Sequence, residues 1–337
     1  MRLAISTDAS NKAKYSIVIP CKSISSNLKK TLAHYTKLNC AMETEIIILP
    51  DEVSAEELEE LKREYDMKIH VIPTGNVSPS LKRNIGVKYS HAEVIAFIDD
   101  DAYPSPDWLT NALKYLKEPN VGAVGGPNLT PPESPLLEAA SGLILASRLG
   151  SGSLAHRYAP IGSLREVDEL PTCNLIIKKD VLRRVGGMGI DLWPGEDTHV
   201  CEQIRNMGYK IVYAPDVVVY HHRKPLFRPH LRQIAGYGEH RGYFARTFSK
   251  ISRKPIYFMP SLLVIAILAG PLASLFYPVL GRLYVILLTF YLLACLAQAL
   301  KARSLKLILL VFVGIILTHL VYGLAFIKGF LSPRLKR

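Results

Sequence analysis

The sequence predicts a three-layer α/β domain followed by an α-helical membrane module. Three observations carry that expectation. Short β-branched apolar runs alternate with helix-like segments through the first half of the chain. Long apolar runs free of acidic residues close it. The charge is also unevenly divided. Residues 255–337 hold eight Lys or Arg and no acid, residues 221–254 hold nine against Glu239 alone, and residues 1–220 hold 24 basic against 28 acidic residues. The net +12 of the 337-residue chain therefore belongs to a juxtamembrane collar and an apolar tail, as anionic headgroups favour, and not to a nucleic-acid-binding face. The length suits one large α/β domain of about 220–250 residues plus a membrane module. It excludes a disulfide-stapled miniprotein, a disordered chain and a simple soluble enzyme.

Residues 15–20 (YSIVIP) and 45–49 (EIIIL) are apolar runs of the kind buried in a parallel sheet, with a helix expected over 27–38 between them. Ser54 opens the next helix, with Glu57 as its capping-box partner. Further strands are expected at 69–72, 94–98 and 121–126. They alternate with helices over 79–89 and from Ser105-Pro106-Asp107 through Leu116, where an N-cap and an N1 proline stand in order. Such alternation implies a parallel sheet with ligands at the carboxyl ends of its strands. Next come an apolar helix over 136–149, a Gly/Ser-rich loop at 150–153, a strand at 174–177 and a short helix at 181–185. A longer helix over 196–207 is closed by Gly208 at C′. Strands at 210–213 and 217–220 complete a domain expected to span 1–220.

Residues 221–254 set Tyr237, Tyr243, Phe244 and Phe248 among basic residues, the pattern of helices lying along lipid headgroups. Beyond them, apolar runs cover 256–276, 283–300 and 305–327. A crossing helix needs about 20 residues, so 255–337 is read as two or three spans. Gly270-Pro271 and Pro278 make the first run the one able to form a re-entrant hairpin. Three spans from a cytoplasmic domain would leave Lys328, Arg334, Lys336 and Arg337 outside, against the positive-inside rule, and two spans would keep them inside. The polar opening residues give the expectation of no signal peptide, and so of a cytoplasmic catalytic domain on a multi-pass protein of the cell membrane. Cys21, Cys40, Cys173, Cys201 and Cys295 lack metal-like spacing and read as reduced thiols.

Asp99-Asp100-Asp101 follows a buried apolar strand directly. Adjacent carboxylates repel and raise one another's pKa, a cost that a divalent cation removes. Mg²⁺ or Mn²⁺ suits one or two carboxylates plus substrate phosphates. In extended geometry Asp99 and Asp101 share a face and Asp100 takes the other. Gly195-Glu196-Asp197 opens a helix after a Gly-rich, Trp193-flanked loop. A carboxylate there often serves only as a cap. As a second active-site wall it offers Asp197, with Glu196 next, as general base.

Taken in order, SIVIP, KRNIG, IAFIDDDAYPSPDWL, VGGP, TCNLIIKKDVLRRVGG, GEDTHVCEQIRNMGY and APDVVVYHH resemble glycosyltransferase family 2 over roughly residues 15–222. The resemblance implies a GT-A-type (nucleotide-diphospho-sugar transferase) three-layer α/β/α domain, a nucleotide-sugar donor, a divalent metal and inversion at the anomeric carbon. It implies that Pro20, Cys21 and Asp51 line the nucleotide pocket with Arg83 and Asp100 near it. Asp99 lies beside the ribose or the metal. Asp101 is a metal ligand, and His221 or His222, the latter preferred, completes the metal site or touches the diphosphate. Asp197 is the catalytic base, and Cys173, Asn174 and Trp193 border the acceptor. Two departures matter. Leu49-Pro50-Asp51-Glu52 replaces the usual Asp-Asp-Gly-Ser-like turn, which leaves the base-reading carboxylate open. Gln203-Ile204-Arg205-Asn206 replaces the Gln-x-x-Arg-Trp of processive members, which favours transfer of a single sugar.

The expected acceptor is a lipid-linked or membrane-proximal glycan, and membrane lipids are expected partners. Direct transfer to polyprenyl phosphate is the alternative within the same chemistry. A non-catalytic nucleotide-sugar-binding membrane scaffold is the alternative outside it. A transporter is disfavoured, because Gln298 and His319 are the notable polar residues of the apolar runs and offer no coupling path.

Overall fold

The computed structural model describes residues 13–189, 195–247 and 250–333. The chain forms two compact units. The first takes the chain through Leu129 and again from Ala159 to His221, and the second takes Thr130–Tyr158 and the chain from His222 onward. Residues 130–158 thus belong with the C-terminal helices.

The strands are β1 (Tyr15–Pro20), β2 (Thr44–Leu49), β3 (Lys68–Val71), β4 (Val94–Phe97), β5 (Ala102–Pro104), β6 (Val121–Gly125), β7 (Asn128–Leu129), β8 (Arg165–Glu166), β9 (Leu175–Lys178), β10 (Lys210–Tyr213) and β11 (Val219–His221). The first unit's helices are α1 (Ser26–Tyr35), α2 (Ala55–Glu64), α3 (Pro79–Tyr89) and α4 (Trp108–Leu116), with α7 (Lys179–Arg184) and α8 (Glu196–Asn206) after the excursion into the second unit. Several boundaries follow local chemistry. The Ser54–Glu57 capping box forms as expected, and Gly208 takes φ +84° just past α8. At α4, by contrast, the cap falls on Asp107 and the helix begins at Trp108.

An eight-stranded sheet in the order β3-β2-β1-β4-β9-β6-β10-β8 forms the centre of this unit. Ile17, Ile19, Ile46 and Ile48 pack with Leu28, Leu32 and Tyr35 of α1 and Trp108 of α4 on one face. Val18, Ile47 and Leu49 pack with Val181 of α7 and Val200 and Ile204 of α8 on the other. The period-2 alternation of each strand is what divides its side chains between these two cores. The sheet is not wholly parallel, as the alternation had implied: β9 runs antiparallel to both β4 and β6, and β8 antiparallel to β10. The reason lies in connectivity. No crossover helix leads directly into β9: β8 and the turn at Thr172–Asn174 precede it, and β9 starts beside the end of β4. A smaller sheet, β5-β11-β7, pairs β5 antiparallel and β7 parallel with β11.

The second unit contains α5 (Leu136–Ala146), α6 (Arg148–Ser151), α9 (Arg228–Thr247), α10 (Met259–Phe276), α11 (Pro278–Ala299) and α12 (Leu305–Leu331). Ser147 ends α5 and caps α6 through Gly150 N–H, so the expected loop at 150–153 is helical in part. The last three helices are long and apolar enough to cross a membrane. Pro271 does not break α10. The chain turns at Tyr277, and Gly270 packs on Tyr284 and Gly281 on Ser274, the pairing of an antiparallel hairpin. The basic segment is one 20-residue helix, α9, set lengthwise on α12. Glu239 pairs with Lys328 at 2.9 Å, and His230 lies 3.0 Å from Thr318. A Cβ on Gly329 would collide with the Glu239 carbonyl, and one on Gly242 with that of Phe326; glycine on both helices allows backbones this close. His319 accepts from the Tyr291 hydroxyl at 2.9 Å and donates to the Leu149 carbonyl at 2.8 Å, so it is packed between helices.

Far from the carboxyl ends of the strands, Glu45 is buried near the start of β2. It accepts the His91 backbone N–H at 2.8 Å and the Ser16 hydroxyl, with His91 Nδ1 at 3.2 Å and His70 Nε2 at 3.5 Å. Burial by itself would raise this carboxyl, but the hydrogen bonds outweigh it and hold the pKa at about 2. The stabilisation from a depressed carboxyl is complete above about pH 4.5 and is lost as pH falls toward 2, amounting to on the order of 3 kcal/mol. Glu45→Gln is therefore expected to lower the thermal midpoint at pH 7. It should also flatten the loss of stability below pH 4.5 in acid titrations of the detergent-solubilised protein.

Candidate active site

β1, β2 and β4 are parallel, so Pro20, Leu49 and Phe97 end at one edge. Because β9 runs the other way, its start, the turn Thr172–Asn174, reaches the end of β4. The three aspartates are not extended. They form a turn closed by Ala102 N–H on the Asp99 carbonyl, which passes the chain from β4 to β5. β11 then pairs His221 with Ala102, placing the histidine beside Asp101.

On the β1–β2 side, Cys21 is buried. Its thiol is pushed up to about 12 by burial first and by Asp100 second, so it is no nucleophile. The cationic centre here is Lys82, which the motif reading passed over for its neighbour Arg83. Lys82 is buried, its ammonium donates to the carbonyls of Cys21 at 2.6 Å and Leu49 at 3.1 Å, and it pairs with Asp51. The ends of β1 and β2, Asp51 and helix α3 are thereby tied to one charge.

Arg83 is also buried, and its guanidinium joins two walls. Nη2 donates to Asp99 and Nη1 to Glu196, each at 2.9 Å, while Nε has no hydrogen-bond partner. Burial raises the Glu196 carboxyl above its usual range; Arg83 opposes this and the adjacent Asp197 adds to it. Asp197 Oδ1 accepts the Thr198 N–H at 2.8 Å, and the Thr198 hydroxyl donates to the buried Glu169 at 2.6 Å. The start of α8 is thus fixed on both sides. Gly195, at φ +122°, makes the entry that a side chain would strain.

His221 Nε2 lies 2.9 Å from Asp101 Oδ1. Burial would depress this imidazole, but the Asp101 carboxylate outweighs it and raises the pKa to about 10. It is His221, not the preferred His222, that reaches the aspartates; His222 Nδ1 sits 3.4 Å from Glu138 in the second unit. Strand alternation decides between adjacent histidines, and β11 ends at His221. Asp99, Cys173 and His221 offer donor atoms within 4.8 Å of one another. Asn174, expected on the acceptor side, is wholly buried. It accepts from Trp108 Nε1 at 2.8 Å and donates to the carbonyls of Val217 at 2.8 Å and Pro127 at 3.1 Å. Gly125 and Gly126 permit this crossing, since a Cβ on either would strike a carbonyl oxygen of Asn174, Val217 or Ala214. Trp193 lies outside the described residues.

Compared with known proteins, residues 13–235 match the family described as glycosyltransferase like family 2. The chain belongs to this family. The glycosyltransferase AglE of Haloferax volcanii is 24% identical over 221 residues, covering 62% of this chain and 67% of its own. The pre-mycofactocin glycosyltransferase of Mycobacterium tuberculosis is 27% identical over 161 residues, covering 48% of this chain and only 33% of its own length. The mannosyltransferase PcManGT from Pyrobaculum calidifontis, solved with GDP-Man and Mn²⁺, aligns over 98% of this chain and 90% of its own at TM-score 0.55 and 20% identity. The fold of this glycosyltransferase is GT-A, followed by helices suited to a membrane.

In this glycosyltransferase, replacing Arg83 with Met would leave Glu196 and Asp99 without their shared cation. Removing one partner of a buried pair costs about 3–5 kcal/mol. Arg83→Met is expected to lower the thermal midpoint sharply, with partial recovery in the double variant Arg83→Met, Glu196→Gln, in which no uncompensated buried charge remains. Thermal melts of the two proteins at one pH check this.

Proposed function

We propose that the chain is an inverting glycosyltransferase of EC 2.4 type. On this reading it moves one sugar from a nucleotide-diphospho-sugar to a hydroxyl of a lipid-linked or membrane-proximal glycan. The observation that carries the reading is the Asp99–Arg83–Glu196 bridge, which holds the aspartate turn and the start of α8 at one place in one unit. The assignments are Pro20, Cys21, Asp51, Lys82 and Asp100 toward the nucleotide; Asp99 and His221 toward a divalent ion, with Asp101 orienting His221; and Asp197 as base, with Glu196 behind it.

The side chains fit such an ion. Asp99, His221 and Cys173 present donors within one coordination sphere's reach, and His221 Nδ1 is buried with no oxygen or nitrogen partner. When bound, Mg²⁺ or Mn²⁺ supplies positive charge against the departing diphosphate. The chain's own residues do the rest. Asp101 fixes the ring of His221 through Nε2. Thr198 N–H holds the Asp197 carboxyl where it accepts the proton of the attacking hydroxyl. Arg83 prevents the buried acids from moving apart. The helices α10–α12 support an acceptor delivered from a membrane, with the catalytic unit expected on the cytoplasmic side.

The test is transfer by the full chain in detergent, with a panel of nucleotide-sugars, Mn²⁺ or Mg²⁺, and lipid extract as acceptor. Asp197→Asn is expected to reduce turnover by at least about 10². Asp101→Ala should reduce metal-dependent turnover to a similar extent while the protein stays folded. Undiminished transfer by either variant overturns the assignment. A phosphodiester-linked product identifies polyprenyl phosphate as acceptor, and donor binding without transfer or hydrolysis identifies a scaffold.

A further inference from the structure

Donors of three chemical kinds meet at the end of β4: the Asp99 carboxylate, the Cys173 sulfur and an imidazole nitrogen of His221, all within 4.8 Å of one another. Asp101 engages Nε2 of His221; Nδ1 is buried with no oxygen or nitrogen partner, and the ring also interacts with the Cys173 thiol, so Nδ1 is the nitrogen left for an ion that displaces its proton. An imidazole anchored by a carboxylate on one nitrogen, with the other turned to a ligand, is how proteins hold a metal-binding histidine. Asp101 then orients the ring and Asp99 contacts the ion.

The sulfur is the unexpected donor. Cys173 is buried, and its chain neighbour Asn174 is tied to Trp108, Pro127 and Val217, so the backbone is not free to carry the sulfur away. Bond lengths of about 2.0–2.3 Å put tetrahedral donors about 3.3–3.8 Å apart, so three donors no more than 4.8 Å from one another need to draw in by at most about 1.5 Å to close on one ion. Hard Mg²⁺ takes oxygen and holds its waters, whereas sulfur and imidazole favour borderline and soft ions.

We propose that Cys173 is a direct sulfur donor to the divalent ion of this site, so that the site takes Mn²⁺, Co²⁺, Zn²⁺ or Cd²⁺ in preference to Mg²⁺. This rests on the reading above that an ion binds here. The experiment is titration of the full chain in detergent with Co²⁺ alone, followed in the near ultraviolet for a sulfur-to-cobalt charge-transfer band and, in parallel, by calorimetry. The wild type is expected to show the band, and Cys173→Ser to lose it while still melting cooperatively. Cys40→Ser removes a buried thiol that precedes β2, at the end of the strand away from Leu49, and should keep the band. Cd²⁺ affinity should fall by about tenfold or more in Cys173→Ser, within the range of ligand-shell substitutions, and Mg²⁺ affinity by much less. ¹¹³Cd NMR of the unsubstituted protein, expected downfield of the oxygen–nitrogen range, decides the matter without any variant. Co²⁺ binding without the band, or a band that survives Cys173→Ser, overturns sulfur donation and leaves the ion site standing. Absence of binding by Co²⁺, Mn²⁺ and Cd²⁺ overturns both.

Discussion

Acidic side chains crowd the carboxyl edge of the main sheet, and the architecture of the first unit follows from how that charge is held. Asp99, Asp100 and Asp101 form one turn, and Glu196 and Asp197 open a helix brought against it. Water would screen such a group on a surface; here burial first, and the charge of Asp197 after it, make Glu196 bind its proton more tightly, with Arg83 opposing both. Arg83 spans the two groups with one guanidinium. Its planar, always charged fork presents separate donors in fixed directions, one to each carboxylate, where a lysine ammonium has a single centre. Lys82, one residue earlier, serves the β1–β2 end by a different geometry, a single ammonium drawing two carbonyls and Asp51 together. Successive residues of α3 thus stabilise two sides of the cleft.

Connectivity supplies what charge alone does not. β8 and the turn Thr172–Asn174 precede β9, which runs antiparallel to β4, so its start and not its end lies beside the aspartate turn. That reversal is why Cys173 stands beside His221. The small sheet adds the other half: antiparallel pairing of β5 with β11 sets His221 against Ala102, one residue from Asp101. Asn174 secures both features, because its amide satisfies a buried indole N–H and two buried carbonyls that no water reaches.

The second unit is built on close backbone approach. The glycines at positions 242 and 329 let α9 lie along α12, and the Glu239–Lys328 pair sets the register. A basic helix is in this way carried on an apolar one. The α10–α11 hairpin, by contrast, leaves most of its leucines and aromatic residues uncovered by protein, as a lipid-facing surface requires.

Much of this was legible in the sequence because it depends on local chemistry. The runs at 15–20, 45–49 and 94–98, the Ser54–Glu57 box, the αL glycine at 208 and the three apolar helices are set by side-chain periodicity and backbone sterics, which act over a few residues. The order of the aspartate and Gly-Glu-Asp motifs likewise identified the family before any coordinate. Which partners those residues find is a long-range matter. Periodicity does not say that β9 runs downward, that His221 and not His222 meets Asp101, or that Asn174 is buried instead of facing an acceptor. Lys82 and Arg83 are indistinguishable as neighbouring cations until α3 is laid on the sheet and one turns to Asp51 and the other to Asp99 and Glu196. Sequence determined the elements and the chemical inventory; tertiary structure alone decided pairing and facing, because these depend on contacts between residues dozens to more than a hundred positions apart.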